Sequence, residues 1–84
     1  MIRVMLFASL REKLACESLD IPPVSGQETV SELIDRLIAR QGGNWQEVLR
    51  DTKVMVAVNQ EVVDLQASVG ADDEVAFFPP MTGG

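Results

Sequence analysis

The residues with the clearest chemical potential stand together where the sequence closes, in Pro79-Pro80-Met81-Thr82-Gly83-Gly84. Two consecutive prolines cannot continue a β-ladder, because neither carries an N–H donor, and they favour an extended backbone. Six extended residues reach on the order of 20 Å, enough to place the Gly84 carboxylate inside another protein's active site while a folded body stays outside. Glycines at 83 and 84 suit a narrow channel, having no Cβ to clash and a backbone that accepts whatever dihedrals the walls impose. A free carboxylate is a poor acylating group, so activation must come from outside. The simplest route is adenylation, then displacement of the nucleotide by a sulfur nucleophile to leave a C-terminal thiocarboxylate. A bare Gly-Gly is equally the composition of a frayed terminus, and only the residues before it can separate the two readings.

Other candidate groups carry less. Asp72-Asp73-Glu74 places adjacent acids just before a strand, the pattern of a solvated turn more than of acid–base chemistry. Cys16 is the only cysteine, which excludes an internal disulfide, and its place at the end of a short helix reads as small packing rather than a sulfur relay. With no histidine in the chain, the usual zinc, copper and haem ligand sets cannot be assembled, and no metal site is expected. Thirteen acidic against seven basic side chains give a formal charge of −6, which repels phosphate backbones and anionic lipid surfaces; nucleic acid and membranes are poor partners. The same acidity serves solubility or steers the chain toward a basic partner. No run approaches the roughly 18 apolar residues needed to cross a bilayer, and Met1-Ile2-Arg3-Val4 lacks the regions of a secretory signal. These features predict a soluble cytoplasmic protein.

The elements that must position the tail follow from periodicity. Met1 to Phe7 alternates Ile2, Val4 and Leu6 against Arg3, Met5 and Phe7, predicting a strand with the first set in the core. Ser9-Leu10-Arg11-Glu12 has capping-box spacing and predicts a short helix through about Ala15. A second strand, Glu17 to Ile21, is ended by Pro22-Pro23, and Val24 to Glu28 reads as a loop. Thr29-Val30-Ser31-Glu32 repeats the capping-box spacing, and Val30, Leu33, Ile34, Leu37 and Ile38 share one face of a main helix that stops before Gly42-Gly43. Asn44-Trp45-Gln46-Glu47 offers a further helical turn, with Trp45, Val48 and Leu49 covering an end of the core. Val54 to Val58, a return at Val62-Val63 after a turn at Asn59-Gln60-Glu61, and Glu74 to Phe78 complete the strands. With 46% hydrophobic residues in an 84-residue chain, the expectation is one α+β domain spanning 1–84, a β-grasp: a mixed sheet of about five strands, one main helix on one face, one or two short helices, and 79–84 as a projecting tail.

If Val4, Leu6, Val56, Val58, Val75 and Phe77 face the helix, alternation sends Met5, Phe7, Met55, Ala57, Ala76 and Phe78 to the opposite side. An open sheet face normally carries polar residues, so a patch with two phenylalanines and two methionines suggests burial against another protein. Cover by loops of the same chain is the competing account.

The string Asp73-Glu74-Val75-Ala76-Phe77-Phe78-Pro79-Pro80-Met81-Thr82-Gly83-Gly84 closely resembles the C-terminus of the molybdopterin synthase small subunits, the MoaD-type sulfur carriers of the ubiquitin-like family. Val4-Met5-Leu6-Phe7-Ala8, Arg11-Glu12 and Ala57-Val58-Asn59-Gln60 extend the resemblance along the chain, with Glu17 to Glu28 matching least. The resemblance implies that Gly84 is adenylated by an activating enzyme, converted to a thiocarboxylate by a sulfurtransferase system, and used to donate sulfur to a cyclic pyranopterin phosphate, two carriers in turn building the molybdopterin dithiolene. It implies no permanently bound cofactor, ATP being consumed by the activating enzyme. The large synthase subunit would bring most catalytic side chains, in a heterotetramer of two small and two large subunits. By resemblance Phe7, Arg11, Val62 and Phe78 meet the large subunit or the activating enzyme, Met5 shares their face, and Met81, Thr82, Gly83 and Pro80 thread the partner's channel ahead of Gly84. A thiamine-pathway sulfur carrier shares the Gly-Gly end but not the Phe-Phe-Pro-Pro segment; a ubiquitin-like binding module or lysine-linked modifier would use the apolar face without sulfur chemistry.

Overall fold

A computed structural model describes residues 1–80. The elements run β1 (Ile2–Leu6), α1 (Ala8–Leu14), β2 (Ser18–Ile21), β3 (Glu28–Thr29), α2 (Val30–Gln41), α3 (Trp45–Leu49), β4 (Met55–Val58), β5 (Glu61–Val63), β6 (Ser68–Val69) and β7 (Glu74–Phe78). Five strands form one mixed sheet in the order β2-β1-β7-β4-β5, and β3 pairs with β6 in a separate two-stranded ribbon. β1 and β7 are parallel, with Leu6 opposite Phe77; the other pairs are antiparallel. The last strand therefore lies in the middle, between two hairpin-like pairs. The expected β-grasp is the observed fold.

α2 carries the core against this sheet. Its capping box forms as the spacing requires: the Thr29 hydroxyl accepts from the Glu32 amide at 3.2 Å, and the Glu32 carboxylate accepts from the Thr29 amide at 2.9 Å. These two bonds satisfy amides that the first turn would otherwise leave without partners. Val30, Leu33, Ile34 and Leu37 are buried against Ile2, Val4, Leu6, Val75 and Phe77, while Ile38 is half-buried at the margin. Gly42 and Gly43, both at positive φ, stop the helix. Trp45, Val48 and Leu49 close one end of the core as expected.

Two expectations need correction. The spacing at Ser9 and Glu12 does not make a capping box: α1 already begins at Ala8, with Phe7 in the N-cap position and no side-chain cap. The chain leaves β1 directly into the helix, so Ser9 sits inside the first turn, where its hydroxyl has no free amide ahead of it to cap. The further helical turn forms where expected, with Asn44 in the N-cap position of α3, although its side chain makes no cap and instead donates from its amide to the Lys13 carbonyl at 2.8 Å, bracing the end of α1. Glu28 is not in a loop but in β3, 4% exposed, with its carboxylate gripped by Arg36 through Nε at 2.7 Å and Nη2 at 3.0 Å. This two-pronged pairing compensates a charge that would otherwise be costly to bury. No described helix is long and apolar enough to cross a membrane.

Candidate functional site

The sheet side turned away from α2 is built by strand alternation and can be read row by row across the register. Nearest the end of β7, Phe7 follows Leu6 beside Phe78, its amide donating to the Phe77 carbonyl at 3.1 Å, and Phe78 pairs with Met55. The next row runs Ser18, Met5, Ala76, Ala57, Val62 across all five strands. The row beyond is polar, Asp20, Arg3 and Glu74, with Arg3 and Asp20 within 3.4 Å of each other. The face is thus graded from charged at one end to apolar at the other, and the apolar end is where β7 releases the chain into Pro79 and Pro80.

Phe7, Met55 and Val62 are 41%, 38% and 59% exposed, Met5, Ala76 and Phe78 half-buried, and only Ala57 on this face is buried. Loops of the described residues therefore leave most of the patch open. Among the residues singled out from the sequence, the structure brings Met5, Phe7, Val62 and Phe78 onto one surface. It adds Met55, which alternation had placed there but the family resemblance had not. Arg11 is exposed on α1, which follows directly from Phe7. Arg3, Arg36 and Arg50 each meet a carboxylate, but Arg11 has no ion-pair partner among the described residues. Its guanidinium is available as a directional donor.

Pro80 is exposed and Pro79 half-buried at the root of the tail. Met81, Thr82, Gly83 and Gly84 lie outside the described residues.

The acids before β7 are structural. Asp73 accepts from the Asn59 side chain at 3.0 Å through one carboxylate oxygen and from the Gly70 amide at 2.8 Å through the other; the Asn59 side-chain oxygen in turn accepts from the Glu74 amide at 3.0 Å. Asn59 and Gln60 both have positive φ, the geometry of a tight two-residue hairpin turn, so this network pins the β4–β5 turn to the start of β7. Cys16 packs against the core edge, and burial pushes its thiol above the ordinary range, with a Ser18 backbone hydrogen bond opposing in part. A thiol scarce in thiolate is a poor sulfur relay.

The model of the ThiS family matches residues 4–84. The chain belongs to the ThiS family. Within reach of it are proteins named molybdopterin synthase sulfur carrier subunit, from Escherichia coli (strain K12) at 37% identity and from Haemophilus influenzae at 33%, each alignment spanning 84 residues and the whole of both chains. Among solved structures, small archaeal modifier protein 1 from Haloferax volcanii superposes with a TM-score of 0.79 at 28% identity, covering 99% of this chain and 98% of that one. Family membership thus extends over the tail as well as the body.

Proposed function

We propose that this chain is the sulfur carrier subunit of a molybdopterin synthase, working through the carboxylate of Gly84. The observation that carries the reading is end-to-end similarity to relatives bearing that name, on a fold whose central strand releases Pro79-Pro80 beside an open apolar surface. The 1–84 chain acts as one β-grasp unit with 79–84 projecting. An activating enzyme joins the Gly84 carboxylate to AMP from ATP, releasing pyrophosphate. A sulfur donor then displaces AMP to leave the thiocarboxylate, which passes its sulfur to a cyclic pyranopterin phosphate and returns to carboxylate by taking up water oxygen. Two such deliveries complete the dithiolene. The reaction runs in the cytoplasm, with catalytic side chains from the large subunit and no cofactor held by this chain.

The body's role is to dock and to aim. Phe7, Met55, Phe78, Met5 and Val62 supply apolar area that a large subunit or activating enzyme covers, and Arg11 fixes orientation at the edge. The prolines keep the departing chain from pairing with a neighbouring strand and hold it extended. Incubation with an adenylating enzyme, ATP and a sulfur donor, followed by intact-mass measurement, tests the proposal. The expected result is exchange of one oxygen for sulfur at Gly84, and its loss when Gly84 is deleted from a chain that stays folded. No exchange, with an enzyme active on a known carrier, would leave the binding-module reading in its place.

A further inference from the structure

Two of the apolar residues on the open face carry sulfur, and strand position sets how easily each is reached. Met5 lies in β1 with β2 on one side and β7 on the other; its register neighbours are Ser18 and Ala76, and it is half-buried. Met55 opens β4. It pairs with Phe78 of β7, but β5 pairs with Val56, Ala57 and Val58 and stops short of it. Among the described residues Met55 therefore has a strand neighbour on one side alone, and it is 38% exposed. Met1, at 57%, is more exposed still, but it stands with Arg3, Asp20 and Asp72 at the charged end of the face.

A thioether reacts through a sulfur lone pair and has no proton to lose first, whereas a thiol reacts as its thiolate. Cys16 is half-buried at the core edge, where burial favours the protonated thiol, so it is a slow competitor. An oxidant of the peroxide class that meets the free chain thus finds its most consequential target at Met55. The sulfur attacks one peroxide oxygen, the O–O bond breaks, an S–O bond forms and the second oxygen leaves as water; sulfur gives up two electrons and the peroxide takes them. A flexible apolar side chain becomes a polar one, in the row that also holds Phe7 and Phe78.

We propose that Met55 is a redox modification site, and that its sulfoxide withdraws the carrier from docking until a thiol-dependent reductase removes the oxygen as water. The reduction consumes two thiols, which leave as a disulfide, and restores the thioether. A docked partner covers Met55 and keeps the oxidant out, so the modification acts on the free chain. The loss of docking rests on the sulfur-carrier reading; the oxidation of Met55 does not.

Hydrogen peroxide is the probe. Peptide mapping of the treated full chain is expected to find an added oxygen on Met1 and Met55 before Met5. The Kd for the large subunit, measured by calorimetry before and after treatment, is expected to rise about tenfold or more, the cost of bringing an unpaired polar group into an apolar contact. In Met55→Leu, which keeps Met1, Met5, Met81 and Cys16, treatment is expected to leave that chain's own Kd where it began. Methionine sulfoxide reductase with dithiothreitol is expected to return the treated parent to its starting Kd. Met55 oxidised no faster than Met5, or an equal rise in Kd for Met55→Leu, would overturn the proposal. An untreated parent without affinity for the large subunit counts against the carrier reading instead, and the mapping alone then decides the modification site.

Discussion

Replacing Phe7 by alanine separates docking from folding on the open face. Phe7 is 41% exposed, so of the roughly 200 Å2 a phenylalanine can bury, about 80 Å2 remains for a partner to cover. At about 25 cal/mol per Å2 that area is worth about 2 kcal/mol, or about 30-fold in Kd. The assay is calorimetric titration of the carrier into the large subunit at 25 °C, where both remain folded. Two comparisons make the result specific. Leu65→Ala removes a side chain that is 44% exposed but lies off this face, and affinity should hold. Phe77→Ala empties a fully buried position and should cost about 3–5 kcal/mol of stability. A Phe7→Ala chain that binds within twofold of the parent would refute the assignment of this face to docking, as would an equal loss from Leu65→Ala.

Arg36→Ala leaves the buried Glu28 carboxylate without its partner and should cost about 2–4 kcal/mol in urea unfolding, Arg36 being partly exposed; Glu28→Ala with Arg36→Ala together should cost less than the sum of the two. Gln60→Gly relieves a side chain held at φ 72° and should raise stability by about 0.5–1 kcal/mol, read as a higher urea midpoint with an unchanged slope. Because burial raises the Cys16 thiol, its alkylation at mildly alkaline pH should be slower in the folded chain than in urea. The sign carries to stability: the folded state holds this proton to higher pH than the unfolded one, so stability falls as pH rises from the ordinary thiol value toward the folded one.

What the sequence made legible was local. Thr29 and Glu32 cap α2 within one turn, and the alternation of Met1 to Phe7 and of Glu74 to Phe78 assigns both faces of the central strands, because these patterns need no distant partner. The same spacing at Ser9 and Glu12 misleads, since where α1 begins is decided by how β1 hands over the chain at Phe7 and Ala8. β3 and β6 are two residues each and meet across about forty positions of sequence, too short for any period to register. The burial of Glu28 was equally hidden: its partner, Arg36, sits eight residues on, a separation with no helical or strand signature across a strand-to-helix junction. On the open face, apolar character at Phe7, Met5 and Phe78 was readable from alternation, but its gradient toward the root of the tail depends on the parallel register of β1 and β7.

That register also sets how the body answers a pull. A chain drawn into a partner's channel loads β7 along its own axis, and β7 is flanked on both sides, by β1 and β4. An edge strand peels away one hydrogen bond at a time; a central strand pulled lengthwise must shear two ladders at once. Tension on the tail is therefore shared across the middle of the sheet, and the body can serve as a firm anchor while its terminus is worked upon.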